Sequence, residues 1–312
     1  MGLEAAGFNH HLLLELDPDA CQTLHRNRPC WPVQQGDLRS FSPPVNGPSH
    51  SLDLLSGGVP CPPFSVAGRQ LGQADERDLF PAFLDLVERL QPRAVLVENV
   101  RGILQARFGS YRKQVLQRLA SCGYRTDWRL LYSCDYGVPQ LRPRAILVAL
   151  RPEAFPRFAW PTAITCKDSA PTVGQVLYES MAARGWDLAE AWAKTADRIA
   201  PTICGGSRKH GGPDLGPSRA RASWAKMGVN GSAVADDAPL PGASVPVRLT
   251  LPQLALLQGF PTDWRFAGSK TSCYRQIGNA FPPPVAVAVG RAVATALSPS
   301  CCLLDSGTEL SA

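Results

Sequence analysis

Three groups of side chains in this sequence have the types and spacing to do chemistry. One thiol, Cys61, stands between Pro60 and Pro62-Pro63 in GGVPCPPFS (57–65), shortly after the apolar run SLDLL. Proline fixes φ and donates no N–H, so the run is stiff, cannot continue a central strand and presents its side chains in a set direction. Glu98 and Asn99 fall at the end of the apolar run RAVLVENV (93–100), and Arg142 and Arg144 lie two residues apart in QLRPR (140–144). A free thiol ionises only near pH ~8.5 and usually needs help. A cysteine hydrolase takes that help from a histidine, but His10, His11, His25, His50 and His210 have no obvious catalytic context. A thiol, a carboxyl and two guanidiniums suit addition to an electron-poor ring better than peptide hydrolysis. Taken alone, the nonapeptide is equally compatible with a small buried thiol in a rigid turn.

These groups need elements that hold them. LLLEL (12–16) reads as a short strand ending at an acidic residue, and DPDACQTLHRN (17–27) as a helix with Asp17 at its N-cap and Pro18 in its first turn. SLDLLSGG (51–58) reads as a buried strand. In 76–92, Leu79, Phe83, Leu86 and Leu90 recur at helical spacing. A strand over 93–100 and a helix over 110–124 follow, then a hairpin from WRLLYSCDYGVPQ and RPRAILVALR. Alternating strands and helices predict an α/β fold with a doubly wound, mostly parallel sheet. Such sheets bind ligands beyond the carboxyl ends of their strands, and Glu15, Cys61 and Glu98 all fall there.

From about 152 to 246 the chain turns rich in Pro, Gly, Ser and Ala and carries GGSRKHGGPDLGPSRARASWAKMG (205–228). This reads as a smaller, loop-rich module; a disordered linker is the alternative, opposed by Trp186, Trp192 and Trp224. LTLPQLALLQGFP (249–261) predicts a short helix and PPPVAVAVGRAVATAL (282–297) a terminal helix begun by prolines. The 312 residues suffice for one large or two modest domains. A net charge of +6 is compatible with a polyanionic partner. No apolar run approaches the ~18 residues of a membrane span, and no secretory leader is visible. The ten cysteines are scattered without CxxC spacing, so reduced thiols in the cytoplasm, no disulfide framework and no zinc site are expected.

The motifs in order resemble the DNA (cytosine-5)-methyltransferase family of bacterial restriction-modification type. PCPPFS resembles its nucleophile motif, ENV (98–100) its glutamate motif, QLRPR its paired-arginine motif and QIGNAFPPPVA (276–286) its carboxy-terminal cofactor motif. ELD (15–17) and GDL (36–38) resemble its S-adenosylmethionine motifs, and RLTLPQLALLQGFP (248–261) the scaffold motif beside the target-recognition region. The likeness covers roughly 2–151 and 247–297. It implies an S-adenosylmethionine-dependent methyltransferase fold, with catalytic and cofactor parts at 1–151 and 266–297, a target-recognition domain at 152–265 and a tail at 298–312. By resemblance, Cys61 attacks carbon 6 of a flipped cytosine in double-stranded DNA, Glu98 engages ring N3 and the amino group, and Arg144 with Arg142 contacts the base and DNA backbone. Glu15 would hold the cofactor ribose and Asp37 the adenine amino group, with Leu16, Leu38 and Leu79 around the adenine. Pro60 and Asn279 are further cofactor candidates, and Ser65 and Arg69 candidate DNA contacts.

The resemblance also implies a monomer, cytoplasmic and nucleoid-associated if bacterial, functionally paired with a restriction endonuclease. One departure stands out. The family opens with a strand and an F-x-G-x-G loop, whereas this sequence begins at Met1-Gly2-Leu3, within the helix that should follow. The expectation is a sheet lacking its first strand and weakened cofactor binding, restored by an in-frame upstream extension. The alternatives are a catalytically inactive DNA-binding relative and a transfer-RNA cytosine-5 methyltransferase.

Overall fold

A computed structural model describes residues 1–43, 52–59, 78–206 and 212–298. Pro60, Cys61, Ser65 and Arg69 lie outside the described residues, as does the tail beyond 298. The catalytic half contains α1 (Gly2–Ala5), β1 (Leu13–Glu15), α2 (Pro18–Asn27), β2 (Val33–Gln35), β3 (Leu54–Gly57), α3 (Phe80–Leu90), β4 (Ala94–Val100), α4 (Gly109–Ser121), β5 (Arg125–Tyr132), β6 (Gln140–Leu141) and β7 (Pro143–Leu150). Then come α5 (Val173–Ala182), α6 (Ala189–Thr195), β8 (Ala200–Pro201), α7 (Ser218–Ala225), α8 (Leu251–Leu257), α9 (Lys270–Asn279) and α10 (Pro283–Leu297).

The main sheet has the order β3-β4-β7-β5, with β3 parallel to β4 and β7 antiparallel to both its neighbours. The predicted hairpin is the β5–β7 pair, but its connection is more than a loop, since it holds a 3-10 turn at Ser133–Tyr136 and β6. β1 and β2 form a separate parallel pair. The expected single, mostly parallel sheet is therefore divided, and no described strand joins β1 to β3.

Period-two alternation gives the main sheet two apolar faces. Val95, Val97, Ala145 and Leu147 meet Phe83, Val87, Val115 and Leu119 of α3 and α4 on one side. Leu96, Ile146 and Val148 meet Val285, Val289 and Val293 of α10 on the other. Residues Ala145 through Leu150 are completely buried, as expected for a strand covered on both faces. Each large aliphatic side chain buried in this way contributes about 1.5–3 kcal/mol. The segment Lys270–Leu297 is long and apolar enough to cross a membrane by composition, but half of its apolar window is buried within the protein. Its apolar face is core.

The linker alternative for 152–246 fails. Trp224 is fully buried and Trp192 nearly so, in a core with Leu177, Met181 and Trp186 that extends to Leu254 of α8 and Tyr274 of α9. Three helices form there because apolar side chains recur among the small ones. α5 also has a complete capping box between Thr172 and Gln175. The helix expected over 76–92 begins later among the described residues, at Phe80, which leaves Leu79 at its N-cap, half-buried against the same apolar cluster as Phe83.

Candidate active site

Glu98 and Arg144 meet at the carboxyl end of β4. The register pairs Glu98 with Ile146 and Val100 with Arg144, so the two are diagonal neighbours on one sheet face. Long side chains bridge that separation readily. Arg144 Nε lies 2.6 Å from Glu98 Oε1, with both side chains nearly buried. The other carboxylate oxygen faces the backbone of Gly58, where a Cβ would stand 3.5 Å from Oε2. Asn99, on the opposite face, donates from Nδ2 to the Val59 carbonyl at 3.0 Å. The chain thus enters the Pro60-Cys61 segment tethered beside Glu98.

Arg142 occupies a different environment. Its side chain is fully buried and donates to three backbone carbonyls: Ile203 at 2.7 Å, Gly278 at 2.7 Å and Ala280 at 3.1 Å. Burial, and then the charge of Arg144, lower its pKa to about 9, so it remains cationic at neutral pH. The base and backbone contacts expected of Arg142 are not available to a side chain enclosed in this way. Its place is that of a clamp between the segment after β8 and the end of α9. Gln140 and Gln258, both fully buried, extend the clamp. Gln140 donates to the Leu257 carbonyl and to Gln258 Oε1, and accepts from the Ile203 N–H, while Gln258 donates to the Ala280 carbonyl. Arg142 Nε is buried without a partner, but the remaining polar atoms of the clamp are hydrogen-bonded, and a buried network of that kind specifies one arrangement.

Of the residues expected at the cofactor, Glu15, Leu16, Asp37 and Leu38 fall near the ends of β1 and β2, while Leu79 and Asn279 lie at the N-cap of α3 and the end of α9. Glu15 is the last residue of β1, and its Oε1 accepts from the Asp17 N–H at 2.8 Å, which fixes the carboxylate at the strand end. Leu16 beside it is 58% exposed, an apolar side chain with its face open. Asp37 follows β2, and its carboxylate accepts from both the side chain and the N–H of Arg39. Those bonds bring its pKa down to about 2. Leu38 and Leu79 are half-buried against the same apolar cluster. Asn279 is exposed at the end of α9, with Nδ2 3.4 Å from the Gly206 carbonyl.

A cleft of about 500 Å³ lies elsewhere, between β6 and the 167–227 region, with Leu141, Arg198 and Pro201 on its walls. Lys167 and Lys226 line it together with the acidic Asp168 and Asp197. Lys167, Arg198 and Lys226 are all exposed.

The family model for C-5 cytosine-specific DNA methylases matches residues 1–295. The chain belongs to that family. It is 52% identical over 303 residues to the Type II methyltransferase M.NaeI of Lentzea aerocolonigenes, covering 96% of this chain and 72% of the relative. It is 46% identical over 301 residues to the Type II methyltransferase M.NgoMIV of Neisseria gonorrhoeae, covering 95% and 94%. Among solved structures, a DNA modification methyltransferase encoded within an E. coli prophage superposes with a TM-score of 0.65 at 23% identity, covering 95% of each chain. A Spodoptera frugiperda DNMT2 variant gives 0.59 at 16% identity, covering 94% of this chain and 96% of the other. These two likenesses concern the fold, which is the α/β methyltransferase fold.

Within this DNA cytosine-5 methylase, sequence reasoning passed over Gln140, Gln258 and Arg275. Gln258 carries the clearest signal, as a lone amide directly after the apolar LALL of α8. Such a residue is either exposed or hydrogen-bonded in the core. Arg275 is discussed below.

Proposed function

We propose that this methylase modifies carbon 5 of cytosine within a specific double-stranded DNA sequence, using S-adenosylmethionine and a transient bond from Cys61 to carbon 6 of a flipped base. The observation that carries the reading is the Glu98–Arg144 pair beside Gly58 and Val59, the residues that lead into Cys61. The base must leave the helix stack to reach such a site, at a cost of a few kcal/mol.

The residues present fit S-adenosylmethionine. Glu15 has one oxygen tied to backbone and the other free to accept from ribose hydroxyls, and the open apolar face of Leu16 adjoins it. Leu38 and Leu79 supply further apolar surface, Asp37 an acceptor for the adenine amino group, and Pro60 and Asn279 further contacts. When bound, the cofactor supplies an electrophilic methyl group. On the protein side, Cys61 Sγ bonds to carbon 6 and the electron pair of the 5,6 double bond moves toward carbon 5 and N3. Glu98 holds N3 and the amino group, and Arg144 keeps the carboxylate aimed at them. Once carbon 5 is methylated, its proton leaves and the Sγ–C6 bond breaks, restoring the ring.

Arg142 serves this reading as the clamp that fixes the module at 152–265 against the catalytic part at 1–151 and 266–297. Lys167, Arg198 and Lys226 face the DNA backbone, and Ser65 and Arg69 add contacts near the base. The protein acts as a monomer in the bacterial cytoplasm, at the nucleoid, paired with a restriction endonuclease that cuts the same sequence.

Tritiated-methyl transfer to duplex DNA and to transfer RNA tests this. It would be measured for the 312-residue chain and for the reading frame extended upstream, with bisulfite sequencing of a host genome locating the site. Label confined to duplex cytosines in one sequence context is expected. Label in transfer RNA only, or in neither substrate with either form, overturns the reading.

A further inference from the structure

Two helices link the proposed cofactor pocket to the recognition module through contacts that the chemistry above does not use. At one end, the Asp17 N–H fixes the Glu15 carboxylate. The Asp17 side chain caps α2 by accepting from the Asp19 N–H at 3.1 Å, and its second oxygen accepts from Arg275 Nη2 at 2.7 Å. Both partners of this ion pair are largely buried, at 17% side-chain exposure each. A second bond, Thr23 Oγ1 to Gln276 Oε1 at 2.7 Å, ties the same two helices.

At the other end, the last turn of α9 lies directly on the strap Ile203–Gly206. A Cβ on Gly278 would overlap the backbone of Gly205, and one on Gly205 would overlap the carbonyl of Arg275 itself. Arg142 holds the Ile203 and Gly278 carbonyls together. The strap continues from Ala200–Pro201, which line the cleft of mixed charge with Lys167, Arg198 and Lys226, into the glycine-rich basic segment of the sequence. Close-packed backbone is not compressible, so the strap cannot shift without moving the last turn of α9, and Arg275 carries that shift to Asp17 and Glu15.

We infer that Arg275 is a positioning residue that couples DNA occupancy of the recognition module to cofactor affinity through Asp17 and the Glu15 carboxylate. This rests on the reading of Glu15 as a cofactor ligand and of the strap as part of the DNA-facing surface. Coupling between two sites is reciprocal and typically amounts to 5- to 150-fold, roughly, in affinity. An ion pair also needs its partner's geometry, so lysine should replace Arg275 only in part.

The test is calorimetric titration of the methylating form with S-adenosylhomocysteine. It is run with and without saturating duplex carrying the site found by bisulfite sequencing. For the native sequence, duplex should tighten S-adenosylhomocysteine about tenfold, within the usual range of such couplings. Arg275→Met should leave less than about a twofold change, with the same loss seen in DNA affinity when S-adenosylhomocysteine is varied, because linkage is reciprocal. Arg275→Lys should restore part of the coupling.

Asp17→Asn, which keeps an oxygen to cap α2, should reproduce the Arg275→Met result, and the double variant should lose no more than either single one. The double-variant comparison also guards against general loosening of the fold. Native coupling in both Arg275→Met and Asp17→Asn, or no coupling in the native sequence, overturns the inference while methyl transfer continues. Failure of S-adenosylhomocysteine to bind, together with absent methyl transfer, removes the underlying reading as well.

Discussion

Arg144 and Glu98 sit one residue pair apart in register, and each answers the other's buried charge. Removing one member leaves the other uncompensated, which in comparable pairs costs about 3–5 kcal/mol. Arg144→Ala should therefore lower the urea midpoint substantially and abolish methyl transfer together. Glu98→Gln keeps the shape and a hydrogen bond but cannot exchange a proton at N3. It should lose stability too, because Arg144 loses its counter-charge, but less than Arg144→Ala because the amide oxygen still accepts from Arg144, and it should lose about 100- to 10,000-fold in turnover, the usual span for a lost acid–base group. Near-native turnover in a folded Glu98→Gln protein would show that Glu98 acts only as Arg144's structural partner. At this scale the sequence was legible where a residue's neighbours in the chain are its neighbours in space. Glu98 and Asn99 could be read from the end of their strand. Arg142 could not, because its partners are carbonyls at 203, 278 and 280, and two-residue spacing to Arg144 gives no hint of them.

Elements were read best where one periodicity ran without interruption. The strand through Glu98 and the helix begun by Pro283 are both where the apolar pattern puts them. α9 was not anticipated as a helix. Its sequence KTSCYRQIGN is polar, and its buried face is set by tertiary contacts to α2 and to the strap. Its glycine is required by a close backbone crossing. Gly278→Ala would force the Gly205 backbone away, and overpacking of this kind costs about 1–3 kcal/mol. The expected result is a lower urea midpoint together with weakened duplex binding. Gly109→Ala at the start of α4 meets nothing within 4 Å. It should be neutral or stabilising by up to about 1 kcal/mol, since the new side chain restricts the unfolded state. A Gly278→Ala protein with native stability and native DNA affinity would contradict the close crossing.

Over the whole molecule, three buried clusters divide the work. Two cover the faces of the main sheet, and the third packs the 152–246 region around Trp192 and Trp224 against Leu254 of α8 and Tyr274 of α9. Composition pointed to a loop-rich module and understated its order, because Ala and Gly within it serve close helix packing as well as turns. One such approach is Gly174, where a Cβ would overlap the backbone of Ala193. Among the described residues β1-β2 and β3 belong to separate sheets, and the antiparallel share of the main sheet did not follow from alternation alone. Three exposed cations, Lys167, Arg198 and Lys226, stand along one cleft together with Asp168 and Asp197. If Lys167, Arg198 and Lys226 meet phosphates, replacing all three with alanine should flatten the log–log dependence of DNA affinity on salt by about 2.7, from roughly 0.9 per contact. An unchanged slope would place the DNA elsewhere.

The most direct test of the central claim uses a duplex carrying 5-fluorocytosine at the target position, incubated with the methylating form and S-adenosylmethionine. Fluorine on carbon 5 cannot leave as the proton does, so an adduct at carbon 6 should be trapped. Peptide mass spectrometry after denaturation should find the base bonded to Cys61, and Cys61→Ser should give no adduct. A base bonded to a different residue, or normal methylation of unsubstituted duplex by the Cys61→Ser protein, would contradict the account.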